Sequence, residues 1–163
     1  MITTHSFSID YISASSYDDI SELQRSLLLA AKDAARLAYA PYSLFPVGAA
    51  ALLSNGEIVR ASNKENAAFP AGICAERNLM NYVSDAFPSE KILSIAVIAD
   101  PTNFHLDQVL TPCGVCRQVM CEFEKVQGQE FQIILASQTG EVLIFSSAAS
   151  LLPLQFQLNQ LKK

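Results

Sequence analysis

Apolar and polar positions change period several times along the chain. In "HSFSIDYI", Phe7, Ile9 and Tyr11 alternate with polar residues, which predicts a short N-terminal strand. "SSYDDISELQRSLLLAAKDAARLAYA" then opens with cap residues and acidic first-turn residues. Its apolar positions Ile20, Leu23, Leu27, Ala31, Ala34 and Ala38 recur at a helical period, predicting a long helix from about 17 to 39. Pro41 and Pro46 break it. "VGAAALLSNGEIVRAS" reads as strand, Asn55-Gly56 turn and strand, because Asn-Gly between apolar runs is a strong hairpin signal.

"NKENAAFPAGI" reads as a loop, and Leu79, Met80 and Val83 keep helical spacing from Cys74 to about Phe87. "ILSIAVIA" has the unbroken apolar character of a buried strand. A loop through "DPTNFHLDQVLTP" leads to a helix from about Cys113 to Glu124. Strands at "FQIILAS" and "EVLIF" follow, joined by a turn at Thr139-Gly140. "SSAASLLP" closes with a short helix; the tail after Pro153 is left open between helix and loose chain. The order β-α-β-β-α-β-α-β-β-α predicts one mixed sheet with helices on both faces. Ligands of such sheets bind at the carboxyl ends of strands, where the following helices begin.

The length of 163 residues fits one domain, 1–163, with 1–16 as an N-terminal extension. Half of the residues are hydrophobic and 17% are charged, a globular composition. The net charge of -5 and scattered basic residues argue against nucleic acid as a partner. "MITTHSFSIDYIS" has no basic n-region or apolar h-region, and no run reaches the length of a membrane span. The expectation is a cytoplasmic protein with reduced thiols, so its cysteines point to packing, metal or catalysis before disulfides.

Two cysteine segments fall at predicted helix starts. "AGICAERN" sets Cys74, Glu76 and Arg77 within four positions, and "TPCGVCRQ" opens a helix with Cys113 and Cys116. A thiol at a helix start meets unpaired N–H groups and the positive end of the dipole, which favours thiolate, the form that binds metal. Three thiolates converging from two helix starts suit a soft-to-borderline cation, with zinc the default. Three ligands leave the fourth tetrahedral position open, as in catalytic sites. Cys121 lies more than a turn beyond Cys116 and reads as core packing.

Glu76 is rotated away from the Cys74 sulfur, yet within reach of that open position. There a carboxylate takes a proton from an attacking water and hands it to a leaving group. Arg77 is the candidate compensator for the excess negative charge of three thiolates, donating to the sulfurs. Two other classes remain at this point. A dithiol redox protein would cycle Cys113-Cys116, and a zinc-stabilised interaction module would use the metal for folding alone. His105 reads as a surface histidine, and His5 carries no signal.

Cys-Ala-Glu at a helix start, one further strand, then Pro-Cys-x-x-Cys is the zinc-deaminase arrangement. With "SLFPVGAA", "NKENAAFPAGICAER", "SIAVIAD", "TPCGVCRQVMCEF" and "LLPLQF", the chain from about Ser43 to Phe156 resembles the cytidine deaminase family in its small, three-cysteine form. That resemblance implies a three-layer α/β/α sandwich with a mixed five-stranded sheet, to which this chain adds a short N-terminal strand-like extension. It implies one Zn2+ per chain on Cys74, Cys113 and Cys116, with Glu76 as the proton shuttle. Phe45 would pack against the pyrimidine, and Asn63 and Glu65 would bind the ribose hydroxyls. The backbone at Ala67 and Ala75 would meet the ring carbonyl, and the Thr111 carbonyl would receive the exocyclic amine. Phe156 would complete a pocket, often a neighbouring subunit's, in a homotetramer.

The implied reaction is hydrolytic deamination of cytidine and 2'-deoxycytidine in pyrimidine salvage, with a related cytosine nucleoside such as an antibiotic as the nearest alternative. Two positions depart from the family pattern: Lys64 stands where an aliphatic residue is usual, and Phe69 where tyrosine is common.

Overall fold

The computed structural model describes residues 1–101, 103, 105, 106 and 108–157. Strands β1 (Ile12–Ala14), β2 (Val47–Leu53), β3 (Ile58–Ser62), β4 (Ile92–Ala99), β5 (Gln132–Ala136) and β6 (Val142–Phe145) form a sheet in the order β1-β6-β5-β4-β2-β3. Helices α1 (Glu22–Ala35), α2 (Ala75–Ala86) and α3 (Gly114–Gln127) cover its two faces. The β4–β5 pair is parallel; the other neighbours are antiparallel. The last stretch of the tail, 158–163, lies outside the described residues, as do 102, 104 and 107 in the loop after β4.

The pleat sorts the apolar residues into two cores. Ala50, Ala96, Ile98, Ile134 and Ala136 face Leu27, Leu28 and Ala31 of α1. Their neighbours Ala49, Ala51, Ile95, Val97, Ile133 and Leu135 face Leu79 and Val83 of α2 and Met120 of α3. Adjacent residues thus serve opposite faces, as period-two geometry requires, and near-continuous apolar runs follow from a sheet covered on both sides. Helix α1 lies very close to the sheet. A Cβ added at Gly48 would stand 1.8 Å from Ala31 O and 2.5 Å from Ala35 N, so only glycine fits under that helix.

The hairpin turn at Asn55-Gly56 forms as expected, with Gly56 at φ 88° and its N–H on Leu53 O. Two boundaries differ from the sequence reading. The long helix expected over 17–39 is split. Ser16 caps a separate 3-10 turn at Tyr17–Asp19, and Ser21 starts α1 with a capping box completed by Gln24. Arg36 ends the helix, and the chain turns toward Pro41.

The N-terminal strand lies later than Phe7–Tyr11, at Ile12–Ala14, because those residues find register against Ile144, Leu143 and Val142. The sheet therefore has six strands where five plus an extension were expected: the extension itself pairs along the edge of β6. Tyr11 stacks on Phe145 at 5.4 Å, and Tyr17 Oη donates to Ser137 O. Among the described residues no helix is long and apolar enough to cross a membrane.

Candidate active site

Strand β2 is antiparallel to both β3 and β4, so β3 and β4 run the same way. Helix α2 follows β3 and α3 follows β4, and both therefore begin at one end of the sheet. Cys74 is the N-cap of α2 and Cys113 the N-cap of α3, both extended in backbone and neither using its sulfur to cap its helix. Cys116 lies buried in the first turn of α3. The three Sγ atoms lie within 4.8 Å of one another, with Cys113 and Cys116 at 3.6 Å. Zinc–sulfur bonds of about 2.3 Å in a tetrahedron separate sulfurs by about 3.8 Å, so this donor set fits one Zn2+.

The electrostatics of the thiols lead to the same ion. Hydrogen bonding from Cys116, with help from Cys113 and the Arg77 charge, pulls the Cys74 thiol down to about 6. The same interaction, together with burial, pushes Cys116 strongly up. One thiolate forms readily and the next is opposed by the first, unless a cation replaces the protons. Cys121 is buried further along α3, its thiol pushed up to about 11 by burial and the Glu124 charge. It is not part of the triad.

Glu76 is 5% exposed on the first turn of α2, and burial raises its carboxyl above the ordinary range, opposed by the Cys116 thiol and the Arg77 charge. Arg77 is half-buried beside it and lowers the pKa of both Cys74 and Glu76 by its charge. Ala75 is fully buried as the first residue of α2, while Ala67 is exposed in the preceding loop. A pocket of about 280 Å3 runs from Cys74 past Asn63, Glu65, Ile73, Phe69 and Tyr42. Phe69 meets Tyr42 edge-on at 6.0 Å.

Asn63 and Glu65 bond inward to the opposite loop. Asn63 Oδ1 accepts from Val47 N at 2.8 Å and its Nδ2 donates to Phe45 O at 3.0 Å. Glu65 Oε2 accepts from Tyr42 N and Ser43 N, and the Ser43 side chain, together with these N–H groups, holds its carboxyl below the usual range. Phe45 packs against the core, and Leu44 before it sits at φ 54°. Lys64, between the two, turns the other way. Its ammonium donates to Leu37 O beyond the end of α1, a favourable place for a cation.

Thr111 is exposed just before Cys113. Phe156 is 58% exposed and tied to α3 by its backbone, whose N–H donates to Gln118 Oε1 and whose carbonyl accepts from Gln118 Nε2. His105 is exposed, as expected. Three residues escaped the sequence reading: Arg117, Gln118 and Glu124. Glu124 is 8% exposed, and its place on the apolar side of an amphipathic helix was the available signal.

Residues 21–128 match the family model described as "Cytidine and deoxycytidylate deaminase zinc-binding region". A cytidine deaminase of Sporosarcina psychrophila is 45% identical over 98 residues, covering 60% of this chain and 67% of the relative. One from Halalkalibacterium halodurans is 41% identical over 85 residues, covering 52% of this chain and 60% of the relative. The crystal structure of cytidine deaminase from Burkholderia pseudomallei superposes with a TM-score of 0.71 at 34% identity, over 84% of this chain and 100% of that one. That from Mycobacterium tuberculosis gives 0.62 at 32%, over 82% and 96%. An α/β sandwich with a three-thiol metal site at two helix starts defines the class, and the chain belongs to the cytidine deaminase family.

Proposed function

We propose that this chain deaminates cytidine and 2'-deoxycytidine hydrolytically to uridine and 2'-deoxyuridine, releasing ammonia. The observation that carries the reading is Glu76, a carboxyl buried beside three clustered thiols, one of which, Cys74, lines a pocket together with Asn63 and Glu65. Zinc on Cys74, Cys113 and Cys116 would supply a Lewis acid that makes water a nucleophile near neutral pH.

The chain's own groups do the rest. A Glu76 carboxylate oxygen takes a proton from the attacking water and gives it to ring N3; it then takes the second proton from the new C4 hydroxyl and gives it to the amine leaving C4. Water and cytidine are thereby balanced by uridine and ammonia. Burial of Glu76 suits this work, because a carboxyl with a raised pKa gives up its proton at higher pH and regains it more readily. Arg77 offsets the charge of the thiolates. The backbone at Ala67 and Ala75 meets the ring carbonyl, and the Thr111 carbonyl accepts from the exocyclic amine.

Phe45 packs on the ring, and Asn63 and Glu65 take the sugar hydroxyls with the bonding capacity left after bracing the Tyr42–Val47 loop. Phe156 completes a neighbouring subunit's pocket in a homotetramer. Residues 1–163 work as one domain, in the cytoplasm, in pyrimidine salvage.

The test is the ultraviolet absorbance of cytidine with zinc-replete protein. A shift to the uridine spectrum that Glu76→Gln abolishes supports the reading. An unchanged spectrum at one zinc per chain overturns it for cytidine and directs attention to other cytosine nucleosides.

A further inference from the structure

Helix α3 carries two side chains of opposite charge, two turns apart and so on one side of the helix, that grip a single short segment. Glu124 is buried. Its carboxylate accepts from Ser147 Oγ at 2.9 Å, Ala148 N at 2.9 Å and Phe131 N at 3.1 Å. Ser147 is the N-cap of the closing 3-10 turn at Ala148–Leu151. Arg117 meets the other end of that turn, Nη1 donating to Leu151 O at 2.9 Å. The same guanidinium reaches the loop before the helix, where Nε donates to Pro112 O at 2.7 Å and Nη2 to Thr111 Oγ1 at 3.2 Å. The turn is thus fixed to α3 at both ends, and the Thr111-Pro112 loop is fixed to the turn.

This matters because of Cys113. It is exposed at the N-cap, and its side chain makes no cap bond there, whereas Cys116 is held in the buried face of α3. The Cys113 carbonyl accepts from Arg117 N at 3.0 Å, and the approach of Cys113 to the helix follows the path of the chain through Thr111 and Pro112. A planar fork satisfying acceptors on two separate segments fixes that path in a way a flexible ammonium does not.

We propose that Arg117 is a positioning residue. It leans on the Ser147–Leu151 strut that Glu124 anchors, and it holds Cys113 at the separation from Cys116 and Cys74 that a shared cation needs. It also sets the Thr111 carbonyl. The inference rests on the proposed reading of the triad as a zinc site. It goes beyond that reading by assigning the metal's retention to residues that do not touch it.

The experiment measures release of zinc to a chelator with a chromophoric indicator, from wild type, Arg117→Gln, Arg117→Lys, Glu124→Gln and the Arg117→Gln/Glu124→Gln double variant. Outer-shell partners of metal ligands are worth about 10–100-fold in affinity or activity, so Arg117→Gln should release zinc faster by a factor in that range. Arg117→Lys should fall between it and wild type. Glu124→Gln should move the same way, and the double variant should be little worse than Arg117→Gln, because one strut is removed twice. In cobalt-substituted protein the thiolate charge-transfer bands of Arg117→Gln should shift, a change that mere loss of stability in a still-folded chain does not produce. Zinc release and cobalt bands equal to wild type would overturn the proposal. Arg117→Lys decides by the same criterion if Arg117→Gln does not fold. Release is read without turnover, so an inactive wild type that holds zinc would sink the proposed reaction alone.

Discussion

Asn63 grips the backbone on both sides of Pro46: its Nδ2 donates to Phe45 O and its Oδ1 accepts from Val47 N. The amide is therefore a brace for the loop that presents Phe45, whatever it also does for a sugar. Asn63→Ala should lower stability by about 1–3 kcal/mol, since a part-buried N–H and a carbonyl lose their partner. It should also raise KM for the nucleoside more than it lowers kcat. Urea unfolding and steady-state kinetics on one preparation check both. An unchanged midpoint would show that the brace contributes nothing.

Glu65 gives the loop a pH dependence whose sign is fixed. Hydrogen bonds from the Tyr42–Ser43 region hold its carboxyl below the ordinary carboxylate range. Its stabilising contribution is complete above the unfolded value and disappears as pH falls through the lowered one. The stability difference between wild type and Glu65→Gln should therefore narrow on acidification below the usual carboxylate range. Thermal melts across that interval measure it, and a widening gap would contradict the assignment.

Cys121 should behave unlike the other thiols. Buried and pushed up to about 11, it stays protonated near neutral pH. After chelation, maleimide should label Cys74 and Cys113 well before Cys121, as peptide mapping would show. Cys121→Ala should still bind one zinc per chain; a loss of stoichiometry would place Cys121 among the ligands.

Gly48→Ala tests the closest approach in the fold. The added carbon would overlap backbone atoms of Ala31 and Ala35, which no rotamer change relieves. Overpacking of cores costs about 1–3 kcal/mol, and a clash with helix backbone belongs at the upper end. A melting temperature equal to wild type would mean that α1 shifts away freely.

The triad and the strand pattern were legible because each is local. Pro-Cys-x-x-Cys and Cys-Ala-Glu place sulfurs at helix starts, and apolar runs bounded by turn residues find the sheet. The boundary between Tyr17–Asp19 and α1 was hidden because the apolar stripe runs through it; a capping box at Ser21 decides the start. The first strand was displaced because its pairing depends on the short partner Val142–Ile144, far away in sequence. The direction of Lys64 was hidden, because the carbonyl beyond α1 that receives it belongs to another segment. Glu124 and Arg117 look like ordinary helix charges until the segment they clamp is in place.

The placement of β4 between the two cysteine helices sets an order of events in folding. Cys113 and Cys116 are neighbours on one turn, so a growing chain can offer them to an ion as soon as α3 nucleates. Cys74 joins only when β4 has inserted between β2 and β5 and closed the longer loop, a slower, non-local step. Coordination by all three thiols therefore requires a finished sheet, so the metal site and the strand order stand or fall together.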